Sequence, residues 1–190
     1  MTYALLFPGQ GSQSVGMLAE LAEVYPQIGA TFQEASDALG YDLWQLAQNG
    51  PEDQLNQTHI TQPAMLVGGV ALWRVWQTLV ETSPSAMAGH SLGEYSALVA
   101  AGSLSLVDAV TLVADRGRFM QEAVPAGEGA MAAILGLDDD KVAEVCAAAA
   151  ESTSGDEVVS AVNFNSPGQV VIAGNTVAVN CAVELAKEAK

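Results

Sequence analysis

Residues 85–102 read Ser85-Ala86-Met87-Ala88-Gly89-His90-Ser91-Leu92-Gly93-Glu94-Tyr95-Ser96-Ala97-Leu98-Val99-Ala100-Ala101-Gly102, and the fold follows from this stretch. A short apolar run over 85–88 predicts a buried strand. A helix-forming run over 94–101 closes on Gly102, a residue suited to ending a helix in the left-handed conformation. Between them, Gly89-His90-Ser91-Leu92-Gly93 fits Gly-x-Ser-x-Gly, the sharp strand-to-helix turn that presents a serine as a nucleophile. Such a turn strains the serine backbone and brings the flanking backbones almost into contact, so the positions two residues either side must be small. It also leaves free amides at the helix start, where developing negative charge can be held.

Outward from that turn the same grammar repeats. Residues 3–7 read as a buried strand and are followed by the turn-rich Pro8-Gly9-Gln10-Gly11-Ser12-Gln13. Helical patterns occupy 16–24, 27–39 and 42–49, with Gly40 and Gly50-Pro51 as stops. A long helix follows Pro63, apolar on most faces and therefore central. Another spans 105–124, opened by Ser105-Leu106-Val107-Asp108 as a capping box. Strands joined through helices predict an α/β fold with a parallel sheet covered on both faces. Reactive groups in such sheets collect at the carboxyl ends of the strands, where Gln10 and Ser91 both fall.

After Pro125-Ala126-Gly127 the pattern changes. Residues 130–135 read as a strand, 138–150 as a helix, 158–163 as a strand, 169–173 as a strand across an Asn165-Ser166-Pro167-Gly168 turn, and 176–190 as a helix. The order β-α-β-β-α is a ferredoxin-like unit without its last strand, as expected of a shortened or cleaved chain. Two domains are expected: 1–125 as part of a catalytic core and 126–190 as an incomplete small subdomain.

Composition bounds the partners. The chain has 190 residues, half of them apolar, and a net charge of −16 from 22 acids against six bases. That balance repels nucleic acid and anionic membrane, and no apolar stretch is long enough to span a bilayer. The start has no basic n-region and breaks at Pro8, so it reads as a strand and not as a signal peptide. Cys146 and Cys181 lie in helical patterns without metal-ligand spacing, which predicts reduced, buried thiols in a cytoplasmic protein and no metal site.

With so few bases, each arginine matters. Steps of three and four link Arg116 to Leu112, Val113, Phe119 and Met120, which places it on an apolar helix face, with Arg118 turned to the surface. An inward guanidinium must meet an anion, either an internal acid such as Asp115 or the carboxylate of a substrate, which arginine grips with two prongs. A nucleophilic serine also needs a base. The ring of His90 points away on a tight turn and is expected to bond to nearby backbone. His59 lies in a loop before the long helix, and nothing brings it to Ser91. Gly9 and Gly11 suggest a phosphate loop, but no Gly-Lys-Ser/Thr follows them.

Phe7-Pro8-Gly9-Gln10-Gly11-Ser12-Gln13, Thr61-Gln62-Pro63-Ala64, Gly89-His90-Ser91-Leu92-Gly93-Glu94-Tyr95-Ser96-Ala97, Arg116-Gly117-Arg118-Phe119-Met120-Gln121 and Val162-Asn163-Phe164-Asn165-Ser166-Pro167-Gly168-Gln169 resemble, in order, the bacterial malonyl-CoA:acyl carrier protein transacylase family. The resemblance implies an α/β-hydrolase-like core with an inserted ferredoxin-like subdomain. It implies Ser91 as the acyl-accepting nucleophile and the amides of Gln10 and Leu92 as the oxyanion hole. Arg116 would clamp the malonyl carboxylate, and Asn165 and His90 would line the site. The implied base is a histidine in a segment that follows residue 190. Malonyl-CoA and holo acyl carrier protein are the implied substrates, with no cofactor, in a monomer that serves fatty-acid synthesis. Two other readings compete: a serine hydrolase or thioesterase, against which an inward Arg116 counts, and a non-catalytic fragment that binds carrier protein.

Overall fold

The computed structural model describes residues 2–125, 127–153 and 156–189, which fall into two units, Met1–Glu122 and Ala123–Lys190.

In the first unit, β1 (Ala4–Phe7) and β2 (Ala86–Gly89) pair in parallel with Phe7 opposite Gly89. Around them lie α1 (Ala19–Val24), α2 (Pro26–Leu39), α3 (Leu43–Asn49), α4 (Glu52–Leu55), α5 (Thr58–Leu79), α6 (Leu92–Ala100) and α7 (Leu106–Glu122). Local signals fix several ends. Pro26 takes the first position of α2, where its missing N–H costs nothing, and Gly40 closes that helix at φ 76°. Asp42 caps α3 by accepting from the Gln45 amide at 2.8 Å.

The long α5 is the centre, packing against α2, α6 and α7. Its buried Leu66, Val67 and Val70 join Phe32, Leu43, Leu92, Val110 and Val113 in one core. Each such side chain contributes about 1.5–3 kcal/mol on leaving water.

Three expectations change here. The helix expected from residue 16 begins at Ala19, because Leu18 sits at φ 65° and breaks the right-handed run. The long helix starts at Thr58, not after Pro63, so Pro63 lies inside it and His59 belongs to its first turn. That turn is held from outside: Gln121 Oε1 accepts from the His59 amide at 3.3 Å and bonds the His59 ring Nδ1 at 2.6 Å. The sheet, in turn, is not covered on both faces. Among the described residues it has two strands, α6 packs on them, and Leu6 on the other face is 80% exposed; Ala86 and Ala88 are exposed too.

The second unit has β3 (Gly129–Leu135), α8 (Asp139–Ser152), β4 (Val159–Ser166), β5 (Gln169–Asn175) and α9 (Thr176–Glu188). The sheet order β3-β5-β4, antiparallel throughout, is the ferredoxin-like arrangement read from the sequence. Ile134, Val170 and Ile172 meet Val142, Val145, Cys146 and Val179 of the helices in a separate core. Burial there pushes the Cys146 thiol pKa up, as for an inert packing residue, whereas Cys181 is only half-buried.

The expected four-residue turn is shorter than the sequence suggested. β4 runs on to Ser166, leaving Pro167-Gly168 as a two-residue connection with Gly168 at φ 72°. Asn165 therefore lies in the strand, at one of two bulges that leave Val162 and Asn165 without a partner in β5.

Candidate functional site

The site is assembled by close backbone approaches. β2 delivers the chain into the turn at Gly89, and α6 leaves it at Leu92. A Cβ on Gly89 would run into the Gly93 carbonyl group, and one on Gly93 into the carbonyl of Phe7. Only glycine fits either place. The loop after β1 also lies against the turn: a Cβ on Gly9 would stand 3.2 Å from the His90 carbonyl oxygen. The carboxyl ends of both parallel strands thus meet at one point, as the motif predicted.

Ser91 sits at φ 54°, ψ −110°, a left-side conformation that favours glycine. It is the N-cap residue of α6, yet its hydroxyl caps nothing. A serine at this position ordinarily accepts from an amide one turn on. Here Ser91 Oγ instead accepts from Arg116 Nη2 at 2.9 Å. The Leu92 amide, first in the helix, has no intrahelical acceptor.

Arg116 comes from α7 and is half-buried. Its Nη1 donates to Gln62 Oε1 at 2.7 Å and to Met120 Sδ at 3.3 Å, and its charge lies 5.8 Å from the Tyr95 ring centre. Gln62, on α5, is completely buried, and its Nε2 donates to Gln10 Oε1 at 3.2 Å and to Met120 Sδ at 3.2 Å. One hydrogen-bonded chain thus runs Gln10–Gln62–Arg116–Ser91, drawing on the β1 loop, α5, α7 and the serine turn. The α5–α7 contact has no slack: a Cβ on Gly117 would stand 2.6 Å from the His59 Cα.

Arg116 has no acidic partner among the described residues. Arg74 pairs with Glu34 at 2.7 Å, Lys141 with Glu144 at 2.9 Å and Lys187 with Glu184 at 2.7 Å. Asp115, the acid considered for Arg116, belongs to Arg118 at 2.8 Å, which is the exposed arginine, as expected. A cation without an acidic partner among the described residues, in a chain of net charge −16, could take an anion from outside.

The surroundings of Arg116 differ from the reading by helix steps. Leu112, Phe119 and Met120 are about half exposed, and the buried face of α7 is Leu106, Ala109, Val110, Val113 and Gly117. Apolar residues lie on both faces of α7, so spacing alone could not say which one is inside. His90 also departs from expectation: its ring is exposed and makes no hydrogen bond to a described group, while its carbonyl supports the turn by accepting from the Gly93 amide at 2.9 Å. The His59 ring is engaged by Gln121. Asn165, exposed on β4, lies in the second unit.

Gln62 and Met120 were not singled out for a role from the sequence. The available signal for Gln62 was an amide on an otherwise apolar helix face, which burial obliges to find partners.

A parallel β1–β2 pair thus feeds a strained serine at a helix start, and against it stands a guanidinium with no acidic partner among the described residues, in a fold of α/β class. Residues 4–190 match the family model described as the acyl transferase domain, and the chain belongs to that family. It is 61% identical over 187 residues to the malonyl CoA-acyl carrier protein transacylase of Salmonella typhimurium, covering 98% of this chain and 59% of that protein. The crystal structure of FabD from Acinetobacter baumannii superposes with a TM-score of 0.94 at 60% identity, over 100% of this chain and 59% of that one. A malonyl-transacylase in complex with its type II PKS acyl-carrier protein, PlMCAT:AntF in the holo form, superposes with a TM-score of 0.94 at 56% identity, over 100% and 60%. The chain therefore spans about 59% of the length of the curated relatives it matches.

Proposed function

We propose that the chain carries the nucleophile and carboxylate clamp of an acyltransferase that moves malonyl from malonyl-CoA to the phosphopantetheine thiol of an acyl carrier protein. Ser91 Oγ attacks the thioester carbonyl, the carbonyl oxygen takes the negative charge, and the coenzyme A thiolate leaves. The carrier thiol then attacks the malonyl-serine ester and regenerates Ser91. The amides of Leu92 and Gln10 receive the oxyanion, Leu92 because the helix start leaves it free and Gln10 because the β1 loop is laid against the turn. Neither step requires a metal or an organic cofactor. No residue of this chain is assigned as the base: the described histidines make no hydrogen bond to Ser91.

The observation that carries the reading is the 2.9 Å bond from an acid-free Arg116 to Ser91 Oγ. It puts a carboxylate-binding fork within reach of any acyl group on that oxygen, which a simple esterase does not need. Asn165 and His90 are proposed to line the path of the substrate. We further propose that the protein acts in the cytoplasm as a monomer supplying fatty-acid synthesis; among the described residues no helix is long and apolar enough to cross a membrane.

Brief incubation of the native polypeptide with malonyl-CoA should add one malonyl group to the Ser91 peptide, and Ser91→Ala should abolish it. Label on Ser96, or turnover with no label, would contradict the covalent route.

A further inference from the structure

Two N–H donors converge on one sulfur beside the clamp. Arg116 Nη1 lies 3.3 Å and Gln62 Nε2 3.2 Å from Met120 Sδ. A thioether is among the weakest acceptors a side chain offers, so these donors are poorly satisfied where they point. Met120 is also 50% exposed, and of the described methionines only it and Met131, at 65%, are exposed. Half of the Met120 side chain is therefore open to solvent, while its sulfur is faced by a charged donor.

We infer that Met120 is an oxidation site that controls Arg116, its sulfoxide acting as an internal acceptor that competes with the substrate carboxylate. The oxidant is a peroxide. Its terminal oxygen is transferred to Sδ, the O–O bond breaks as the S–O bond forms, sulfur loses two electrons and the peroxide is reduced to water or an alcohol. The new oxygen is a strong acceptor on a side chain flexible enough to retreat slightly and aim it at both donors. Arg116 is then held by the protein itself. Thiol-dependent methionine sulfoxide reductases reverse the change. Met120 is thus a positioning residue acting through Arg116, and this inference rests on the reading of Arg116 as the carboxylate clamp.

The test treats the native polypeptide with graded hydrogen peroxide, reads oxidation of each methionine by peptide mass, and follows malonyl and acetyl transfer in parallel. Malonyl transfer should fall in step with Met120 oxidation, with KM for malonyl-CoA rising about tenfold, the worth of one hydrogen bond to a charged donor, while kcat and acetyl transfer change less. Methionine sulfoxide reductase with a thiol should restore it. Met131→Leu should leave the peroxide response unchanged. Met120→Leu, scored against its own untreated activity, should lose that response, and Met120→Gln, which places a permanent acceptor there, should lower malonyl preference without peroxide. Free malonate gives a readout independent of catalysis: its protection of the protein against heat should shrink on oxidation. Complete Met120 oxidation with an unchanged malonyl-to-acetyl ratio overturns this inference alone, as does an equal peroxide loss in Met120→Leu. No acyl group on Ser91 of the untreated protein overturns the functional reading beneath it.

Discussion

Lys141 and Lys187, the described cations of the second unit, each face a glutamate three residues away on the same helix. In the first unit Arg118 does likewise with Asp115, but Arg116, two residues earlier on α7, reaches across to residues 62 and 91 and finds only neutral partners. Helix-local pairs are read directly from spacing and are worth little in solvent. The Arg116 arrangement depends on where α5, α7 and the serine turn come together, so it is a property of the tertiary structure. Charge next to opposite charge marks surface. Charge held by amides and a hydroxyl marks a place for a ligand.

The largest test asks whether the serine turn is as rigidly specified as its glycines imply. Gly93→Ala forces a Cβ onto the Phe7 carbonyl and should cost about 4 kcal/mol or more, the far end of single-substitution effects. Amide hydrogen exchange should show the first unit losing protection and the second keeping it; equal loss in both would mean that the two do not behave as separate units.

Next in size is the proposed clamp. Arg116→Ala should cut malonyl transfer by about 10³-fold, the cost of removing one partner of a hydrogen-bonded charge pair, with acetyl transfer far less affected. Arg116→Lys should recover only part, because an ammonium lacks the two-pronged contact. Equal losses with both acyl groups would reduce Arg116 to a structural role.

Gln62→Glu then tests the contrast directly, by giving Arg116 the acid that the other described cations have. The new carboxylate would stand where Gln62 Oε1 accepts at 2.7 Å, and KM for malonyl-CoA should rise about tenfold while the fold persists. An unchanged KM would show that the neutrality of the Arg116 partners is incidental.

The smallest effect lies in the core. The Tyr41 hydroxyl is buried without a partner, and burial pushes its pKa from 10.0 to about 12. A folded pKa above the unfolded one gives stability that is complete below pH 10.0 and is lost as pH rises toward about 12. Tyr41→Phe should flatten that loss and change stability at neutral pH by less than about 1 kcal/mol, in the favourable direction. Thermal melts across the pH range decide it.

The second unit was almost wholly legible, because alternation in β3 and helical spacing in α8 and α9 each point to one buried face. In the first unit the serine turn was legible for a steric reason: Gly89 and Gly93 are required by contacts within the motif. The start of α5 was not, since Pro63 reads locally as a helix opening and the true first turn is secured by Gln121, 62 residues from His59. Nor was the inner face of α7, where Leu112 and Phe119 are as apolar as Val110 and Val113, and only packing against α5 chooses between them. Gln62 stood in a quoted motif, but its burial and its three bonding partners are products of the fold.

Ser91 is held at φ 54°, ψ −110°, where a side chain pays for its Cβ. A backbone outlier of this kind costs about 1–3 kcal/mol, and glycine at the same position would escape that cost, less about 0.5–1 kcal/mol for the freedom glycine gives the unfolded chain. Ser91→Gly also gives up the bond from Arg116 to Oγ, worth about as much as the strain it relieves, so it should come out close to the natural protein in stability while chemically silent. In a laboratory selection for heat resistance alone, nothing would then retain the proposed nucleophile. Thermostabilised variants of this acyl transferase domain family should accordingly be screened for acyl transfer at every round, because at position 91 durability is indifferent to the side chain that chemistry would need.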